Sequence, residues 1–188
     1  KLKAENFSLV HMNEFGWSQD IVIAARTLKI PVVLHCHNPT EIHFNNLNRF
    51  AASKVLTVSN NHLNDMKNVE RIKQKCDVLY NTLNPDIFAN GHSIRSELNI
   101  AKDEIVIGTI AQICHRKGVD IFVDCAKKLL EKHRNLRFIV IGPPGKGEDN
   151  YVQEINNSLN NKKYGDKINF LGSRKDIPDL LATMDIFS

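Results

Sequence analysis

The chain has 188 residues, of which 42% are hydrophobic, a content that supports one sizeable core or two small ones and excludes a disordered protein. The 25 basic and 21 acidic residues are spread along the chain, so the net charge of +4 argues against a nucleic-acid-binding stripe. No apolar run approaches the roughly 20 residues that cross a bilayer, and the four cysteines form no C-x-x-C pair, which argues against a zinc ribbon or a disulfide framework and predicts reduced, cytosolic thiols.

The first 80 residues alternate between apolar runs typical of strands and amphipathic stretches typical of helices. Strands are predicted at 7–11, 32–34, 54–59 and 77–80. Helices are predicted at 21–28 behind a Ser18 N-cap, at 44–52, and after candidate caps at 59–61. The pattern breaks at 81–86, Asn-Thr-Leu-Asn-Pro-Asp, where a domain linker that runs to about 90–91 is predicted.

The second half of the chain continues the alternation and predicts a parallel sheet with helices on its faces. Strands are predicted at 105–113, 136–141 and 167–172, and another begins at Asp185. A short helix is predicted at 94–98, and longer helices begin at Lys117, at Asp149 or Asn150, and behind Asp176 as an N-cap. Because the chain begins without Met and ends inside a strand-like run, we expect it to be a piece of a longer protein.

A polar turn at 114–118 joins the strand at 105–113 to the next helix. Such a turn places backbone N–H groups and the positive end of a helix dipole at the carboxyl edge of the sheet, where anionic ligands bind. Arg116 and Lys117 add two cations, and Gly118 has no Cβ to obstruct a phosphate. The residues by themselves are compatible with a diphosphate-binding site and with a solvated basic turn.

A second place for functional side chains is the end of the strand at 32–34, which leads into His35, Cys36 and His37. The two histidines alternate and should therefore face the same side. His43 is close in sequence, but nothing at metal-ligand spacing completes a zinc set, so a general acid/base or hydroxyl-binding role is favoured over a metal site.

The loop at 142–147, Gly-Pro-Pro-Gly-Lys-Gly, follows a predicted strand and suggests phosphate binding. The Walker pattern requires Ser or Thr after Gly-Lys, but Gly147 follows Lys146 here, and the two prolines lack N–H donors. The sequence therefore argues against a P-loop.

Segments along nearly the whole chain, in the right order, resemble motifs of one enzyme family. They read FSLVHMNEF, VVLHCHN, KVLTVSNNH, VLYNTLNPDIF, IGTIAQICHRKGVDIFVDCAKKLL, LRFIVIGPPGKGEDNY and INFLGSRKDIPDLLATMDIF. They resemble the retaining glycosyltransferases of family four, which have the GT-B fold. The resemblance implies an α/β protein with two Rossmann-like parallel-sheet domains, both incomplete in this chain. It assigns 1–81 to the acceptor-side domain, 82–103 to the interdomain linker, and 104–188 to the nucleotide-sugar-binding domain.

The resemblance also implies the reaction, transfer of a sugar from a nucleotide diphosphate sugar to an acceptor hydroxyl with retention. It assigns the donor diphosphate to Gln112, Arg116, Lys117 and Gly118, the nucleotide base to the backbone of Gly172, Ser173 and Arg174, and a sugar or acceptor hydroxyl to His37. No metal and no cofactor are expected, and the acceptor would be a carbohydrate or a lipid-linked molecule. A cytoplasmic location is expected, with peripheral membrane contact left open.

Two departures from the family pattern limit these expectations. Ala111 and Gln112 stand where the family most often has Gly-Arg, so one cation of the diphosphate site is replaced by a neutral amide. The family's pair of donor-site glutamates would follow Ser188, and its glycine-rich loop would precede Lys1, so this piece alone is expected to lack activity. A sugar-nucleotide 2-epimerase of similar architecture and a non-catalytic nucleotide-binding module are the alternative functions.

Overall fold

The computed structural model describes residues 5–13, 20–37, 52–67, 73–159, 164 and 166–188. These residues belong to two compact units, Lys1–Leu83 and Asn84–Ser188. Three features expected from the sequence lie outside the described residues, namely the Ser18 cap, His43 and all but the last residue of the helix at 44–52.

Unit 1 contains a parallel sheet of four strands in the order β1-β2-β3-β4. The strands are β1 Val10–Asn13, β2 Val32–Cys36, β3 Lys54–Thr57 and β4 Cys76–Val78. Among the described residues of unit 1, the helices are α1 Asp20–Thr27 and α2 Asn60–Lys67, and a 3-10 turn at Lys73–Lys75 precedes β4. Apolar side chains of α1 and α2 pack against those of the strands, as the alternating pattern predicts.

Unit 2 contains a second parallel sheet of four strands, in the order β7-β6-β5-β8. The strands are β5 Ile105–Ile110, β6 Leu136–Ile141, β7 Ile168–Gly172 and β8 Ile186–Phe187. The helices are α3 Asp86–Ala89, α4 Val119–Leu130, α5 Asp149–Leu159 and α6 Ile177–Thr183. In chain order this is a 3-2-1-4 arrangement, in which the direction of winding reverses between β5 and β8. In open α/β sheets ligands bind at the carboxyl ends of the strands beside such a reversal.

Helices cover both faces of the second sheet. Val140 of β6 packs with Val123 of α4 and Ile155 of α5, whereas its neighbour Ile139 packs with Leu180 of α6. All six residues of β6 are buried, as expected of a central strand in a doubly covered sheet. The β-α alternation in the sequence thus correctly predicts the α/β class and the parallel pairing.

The junction between β5 and α4 differs from the prediction in two places. β5 ends at Ile110 rather than continuing to 113, and Ile113 forms only an isolated bridge with Pro144. α4 begins at Val119 rather than at Lys117, because Gly118 adopts the left-handed conformation with φ of +63° and interrupts the helix.

Most of the segment predicted as a linker at 82–103 is built into unit 2. The Ile94 N–H donates to Thr183 Oγ1 at 2.8 Å, and the His92 N–H donates to Asp179 Oδ1 at 2.8 Å. The helix predicted at 94–98 is wrong: residues 95–99 form a hydrogen-bonded turn, which ends at Asn99 with φ of +52°. The chain therefore divides after Leu83, near the start of the predicted linker.

A buried charge cluster anchors the amino-terminal edge of the second sheet. The Glu104 carboxylate accepts hydrogen bonds from Lys167, from the Ala101 N–H at 2.8 Å and from Arg137 Nη2 at 3.1 Å. Burial by itself raises the pKa of Glu104, but these donors outweigh it and lower the pKa to about 2. The carboxylate is thus charged at every physiological pH and ties the chain before β5 to β6 and β7.

Candidate functional site

The turn that follows β5 presents the residues expected to bind a diphosphate. His115–Lys117 form one 3-10 turn, in which the Lys117 N–H donates to Cys114 O at 2.9 Å and the Gly118 N–H donates to His115 O at 3.1 Å. The N–H groups of His115 and Arg116 have no acceptor among the described residues. Two backbone donors therefore remain available at the carboxyl edge of the sheet.

Three side chains of the site are exposed around this turn, those of Gln112, Arg116 and Lys117. Within the part of the chain that the structure describes, neither cation forms a hydrogen bond or an ion pair. Both charges are therefore open to a ligand, as the diphosphate hypothesis requires. The roles of Gln112, Arg116, Lys117 and Gly118 stay predictions.

The N-terminus of α4 has fewer backbone N–H groups available to an anion than the sequence predicted. The Asp120 N–H, one of the first helical donors, donates to the Tyr151 hydroxyl at 2.9 Å, and that hydroxyl donates to Asp120 Oδ1 at 2.7 Å. The hydrogen bond from Tyr151 lowers the pKa of Asp120, while burial followed by the Asp120 carboxylate raises the pKa of Tyr151. Anion binding would therefore rely on the 3-10 turn rather than on this N–H of the helix.

The loop at 142–147 lies against the turn and supports it. The Ile113 N–H donates to Pro143 O at 2.9 Å, and the Gly145 N–H donates to Ile113 O at 2.8 Å. Gly142 has φ of +145°, and a Cβ there would lie 1.9 Å from the carbonyl oxygen of Ala111. Gly142 and Gly145 thus permit close packing against the segment from Ala111 to Cys114, a role that the sequence analysis did not assign to them.

The side chains of His115, Glu148 and Tyr151 form a group at the turn that the sequence analysis did not predict. His115 Nδ1 lies 2.7 Å from Glu148 Oε2, and the His115 ring lies 4.1 Å from the ring of Tyr151, centroid to centroid. His115 and Glu148 are 33 positions apart, so no local pattern could have paired them.

The predicted base-binding stretch follows β7 at the same edge of the sheet. Gly172 has φ of +66° and open space around its α-carbon, and its carbonyl accepts the Gly142 N–H at 2.8 Å. The Arg174 guanidinium donates to both carboxylate oxygens of Asp176 and to Glu97, and these two acidic residues raise its pKa. Asp176 stands at the predicted N-cap but makes no capping hydrogen bond, because Arg174 occupies its carboxylate. The base-binding roles of Gly172, Ser173 and Arg174 stay predictions.

In unit 1 the histidines at the end of β2 are brought together, as the alternation predicts. The rings of His35 and His37 lie 4.3 Å apart, and those of His11 and His35 lie 5.9 Å apart. His37 Nε2 lies 2.7 Å from Asn13 Oδ1, and the buried His35 donates through Nε2 to Leu79 O at 3.3 Å. Among the described residues no group of three or more His, Cys, Asp or Glu could hold a metal ion.

A family model decides the identity of the chain. Residues 92–188, just over half of the chain, match the model of the glycosyl transferases group 1. The chain belongs to this family. No curated protein sequence matches the chain significantly.

Solved glycosyltransferases share the fold across both units. HepE from Anabaena, in complex with UDP and glucose, is 25% identical, with a TM-score of 0.78 over 98% of this chain and 53% of its own. A glycosyltransferase from Rickettsia africae is 21% identical, with a TM-score of 0.79 over 99% of this chain and 52% of its own. An E. coli structure described as trehalose-6-phosphate bound with UDP-2-fluoro glucose is 15% identical, with a TM-score of 0.74 over 100% and 53%.

This group 1 glycosyltransferase chain therefore has the GT-B type of α/β fold and spans about half the length of the structures that it matches. Among its described residues no helix is both long enough and apolar enough to span a membrane.

Proposed function

We propose that the complete protein transfers a sugar from a nucleotide diphosphate sugar to an acceptor hydroxyl with retention at the anomeric carbon, and that the turn at 114–118 receives the donor diphosphate. The observation that carries this proposal is the pair of exposed cations, Arg116 and Lys117, which have no partner among the described residues at the carboxyl edge of β5. HepE, at 25% identity, was solved with UDP-glucose, which supports a uridine nucleotide as the first donor to test.

The chemistry requires stabilisation of the negative charge that develops on the departing diphosphate. The Lys117 ammonium and the backbone N–H groups of His115 and Arg116 would supply this stabilisation, without a metal ion. In unit 1, the Nε2–H of His37 is directed to Asn13 Oδ1, and this contact would orient the ring toward a sugar or acceptor hydroxyl. The acceptor would be a carbohydrate or a lipid-linked molecule, and the location would be cytoplasmic, in keeping with four cysteines that form no disulfide.

The test is Lys117→Ala in the full-length protein, with UDP affinity measured by calorimetry and turnover measured with UDP-glucose and related donors. We expect UDP binding to become less favourable, or the activation free energy of turnover to rise, by about 2 to 4 kcal/mol, the range for losing a positioned oxyanion partner. Lys128→Ala is the matched control, because Lys128 is an exposed lysine near the far end of α4. Unchanged binding and turnover in the Lys117 variant would exclude the turn from the site.

Product analysis separates the proposed transfer from the alternative reactions. NMR of the anomeric proton in the product reports retention or inversion. Release of a free epimerised sugar would indicate an epimerase, and UDP binding without turnover by any donor would indicate a binding module.

A further inference from the structure

The segment at 113–118, which contains the turn, is held to the chain that follows β6 by three hydrogen bonds. Two are backbone hydrogen bonds, from the Ile113 N–H to Pro143 O and from the Gly145 N–H to Ile113 O. The third is the contact between His115 Nδ1 and Glu148 Oε2, at 2.7 Å. Of these three contacts, only the third involves a residue of the 3-10 turn itself, since both backbone bonds are made by Ile113.

The direction of the His115 hydrogen bond follows from the chemistry of its partner. An ionised carboxylate only accepts, so Nδ1 carries the proton and donates to Glu148 whether the ring is neutral or charged. The Tyr151 ring packs against the imidazole, with ring centroids 4.1 Å apart, and Tyr151 is itself held by two hydrogen bonds to Asp120. The imidazole is therefore fixed in position although its side chain is 70% exposed.

Lys117 has no comparable support of its own. Its side chain has no partner among the described residues, so the position of its ammonium group depends on the backbone of the turn. His115 begins the same 3-10 turn, two residues earlier, and Gly118 ends it in the left-handed conformation. A shift of the turn at His115 would move the Lys117 side chain and the two free N–H groups together.

We propose that His115 is a positioning residue for the donor diphosphate, which acts by donating to Glu148 and so holding Lys117 and the neighbouring N–H groups in their binding arrangement. This inference rests on the proposed function. The pair also has an electrostatic consequence, because the His115 donor turns the Glu148 carboxylate toward itself and offsets part of its charge near the anion site.

The experiment measures the UDP dissociation constant of the full-length protein by calorimetry for paired variants. His115→Ala and Glu148→Ala should each weaken UDP binding about tenfold, as expected for a hydrogen bond to a charged group. His115→Asn retains an N–H donor near the place of Nδ1, and Glu148→Gln retains an acceptor oxygen, so both should bind UDP nearly as well as the wild type. His133→Ala, at an exposed histidine after α4, is the control and should change nothing.

A double-mutant cycle with Lys117 distinguishes positioning from a general loss of structure. If His115 acts through Lys117, then His115→Ala should weaken UDP binding less in the Lys117→Ala background than in the wild type, and the remaining effect is due to the two N–H groups that His115 also holds. Losses that add fully, or an unchanged UDP affinity in His115→Ala, would overturn the proposal. If His115→Ala does not fold, the UDP affinities of Glu148→Ala and Glu148→Gln are compared instead. Equal affinities of these two variants would also overturn the proposal. If Lys117→Ala itself leaves UDP binding unchanged, the proposed function fails rather than this inference alone.

Discussion

The α-carbon of Gly142 lies against the carbonyl oxygen of Ala111, so closely that a Cβ at position 142 would be 1.9 Å from that oxygen. The contact joins the residue that follows β6 to the residue that follows β5, at the edge of the sheet where the candidate diphosphate turn begins. Neither backbone can yield easily, because the Ala111 N–H donates to Ile141 O and the Gly142 N–H donates to Gly172 O, both at 2.8 Å.

Gly142→Ala should therefore destabilise unit 2 strongly. We expect a loss of about 3 kcal/mol or more in the free energy of unfolding, from overpacking and from the positive φ together. Gly147→Ala is the matched control: it has a positive φ of +78° but nothing within 4 Å of its Cβ, so it should cost only about 1 kcal/mol of backbone strain. Urea unfolding of both variants tests the difference, and equal losses would show that the contact with Ala111 can relax.

The buried Glu104 carboxylate should make stability depend on pH in the acidic range. Its pKa is lowered from 4.5 to about 2 in the folded chain, so it stabilises the fold fully above pH 4.5. That contribution, about 3 kcal/mol by linkage, should be lost as the pH falls through 4.5 toward 2.

Glu104→Gln removes this titration and should flatten the corresponding part of the stability curve measured by urea unfolding from pH 7 to pH 2. It should also destabilise the chain at neutral pH, because Arg137 then loses its buried charged partner and keeps only the exposed carboxylate of Asp166. Asp166→Asn is the control, since Asp166 pairs with the same arginine but its side chain is 73% exposed. If the unfolding free energy of Glu104→Gln falls between pH 4.5 and pH 2 as steeply as that of the wild type, other carboxylates cause the acid sensitivity.

The sequence predicted best what depends on local periodicity. The run at 136–141 is β6 to the residue, because six residues that suit a strand are bounded by a polar turn and a glycine. Even there Arg137 is buried, and partners distant in sequence, above all the carboxylates of Glu104 and Asp166, explain why a charge is tolerated at that position. The candidate cations were found because they are adjacent in sequence, whereas His115 and Glu148 meet only after β5 and β6 pair.

The errors have a similar origin in tertiary structure. The segment at 94–98 has helical spacing, but Asn99 turns the chain with a positive φ and the apolar side chains are drawn into the core beside α6. The start of α4 was misplaced because a helical pattern in the side chains does not reveal that Gly118 is left-handed. The Asp176 carboxylate binds the Arg174 guanidinium instead of capping α6, and capping preferences alone do not predict such a competing partner.

In unit 1, His37→Ala in the full-length protein should lower turnover more than nucleotide affinity. If His37 binds a sugar or acceptor hydroxyl, the loss of its hydrogen bond should reduce kcat about tenfold to a hundredfold while the UDP dissociation constant stays close to that of the wild type. Asn13→Ala should produce a smaller change of the same kind, because it removes only the oxygen that holds His37 Nε2. Equal losses in turnover and in UDP affinity would contradict the role assigned to His37.

Gln112→Arg tests whether the neutral amide limits donor binding. Position 112 is exposed, two residues after the end of β5, so a guanidinium can be accommodated without burying its charge. Arginine binds phosphate oxygens in a bidentate manner, whereas glutamine offers a single neutral donor group. We expect the variant to bind UDP up to about tenfold more tightly, with a steeper dependence on salt concentration. Gln112→Lys is a useful comparison, because it adds the charge without the planar fork. Equal gains from both variants would point to charge alone, and no gain from either would mean that residue 112 does not reach the diphosphate.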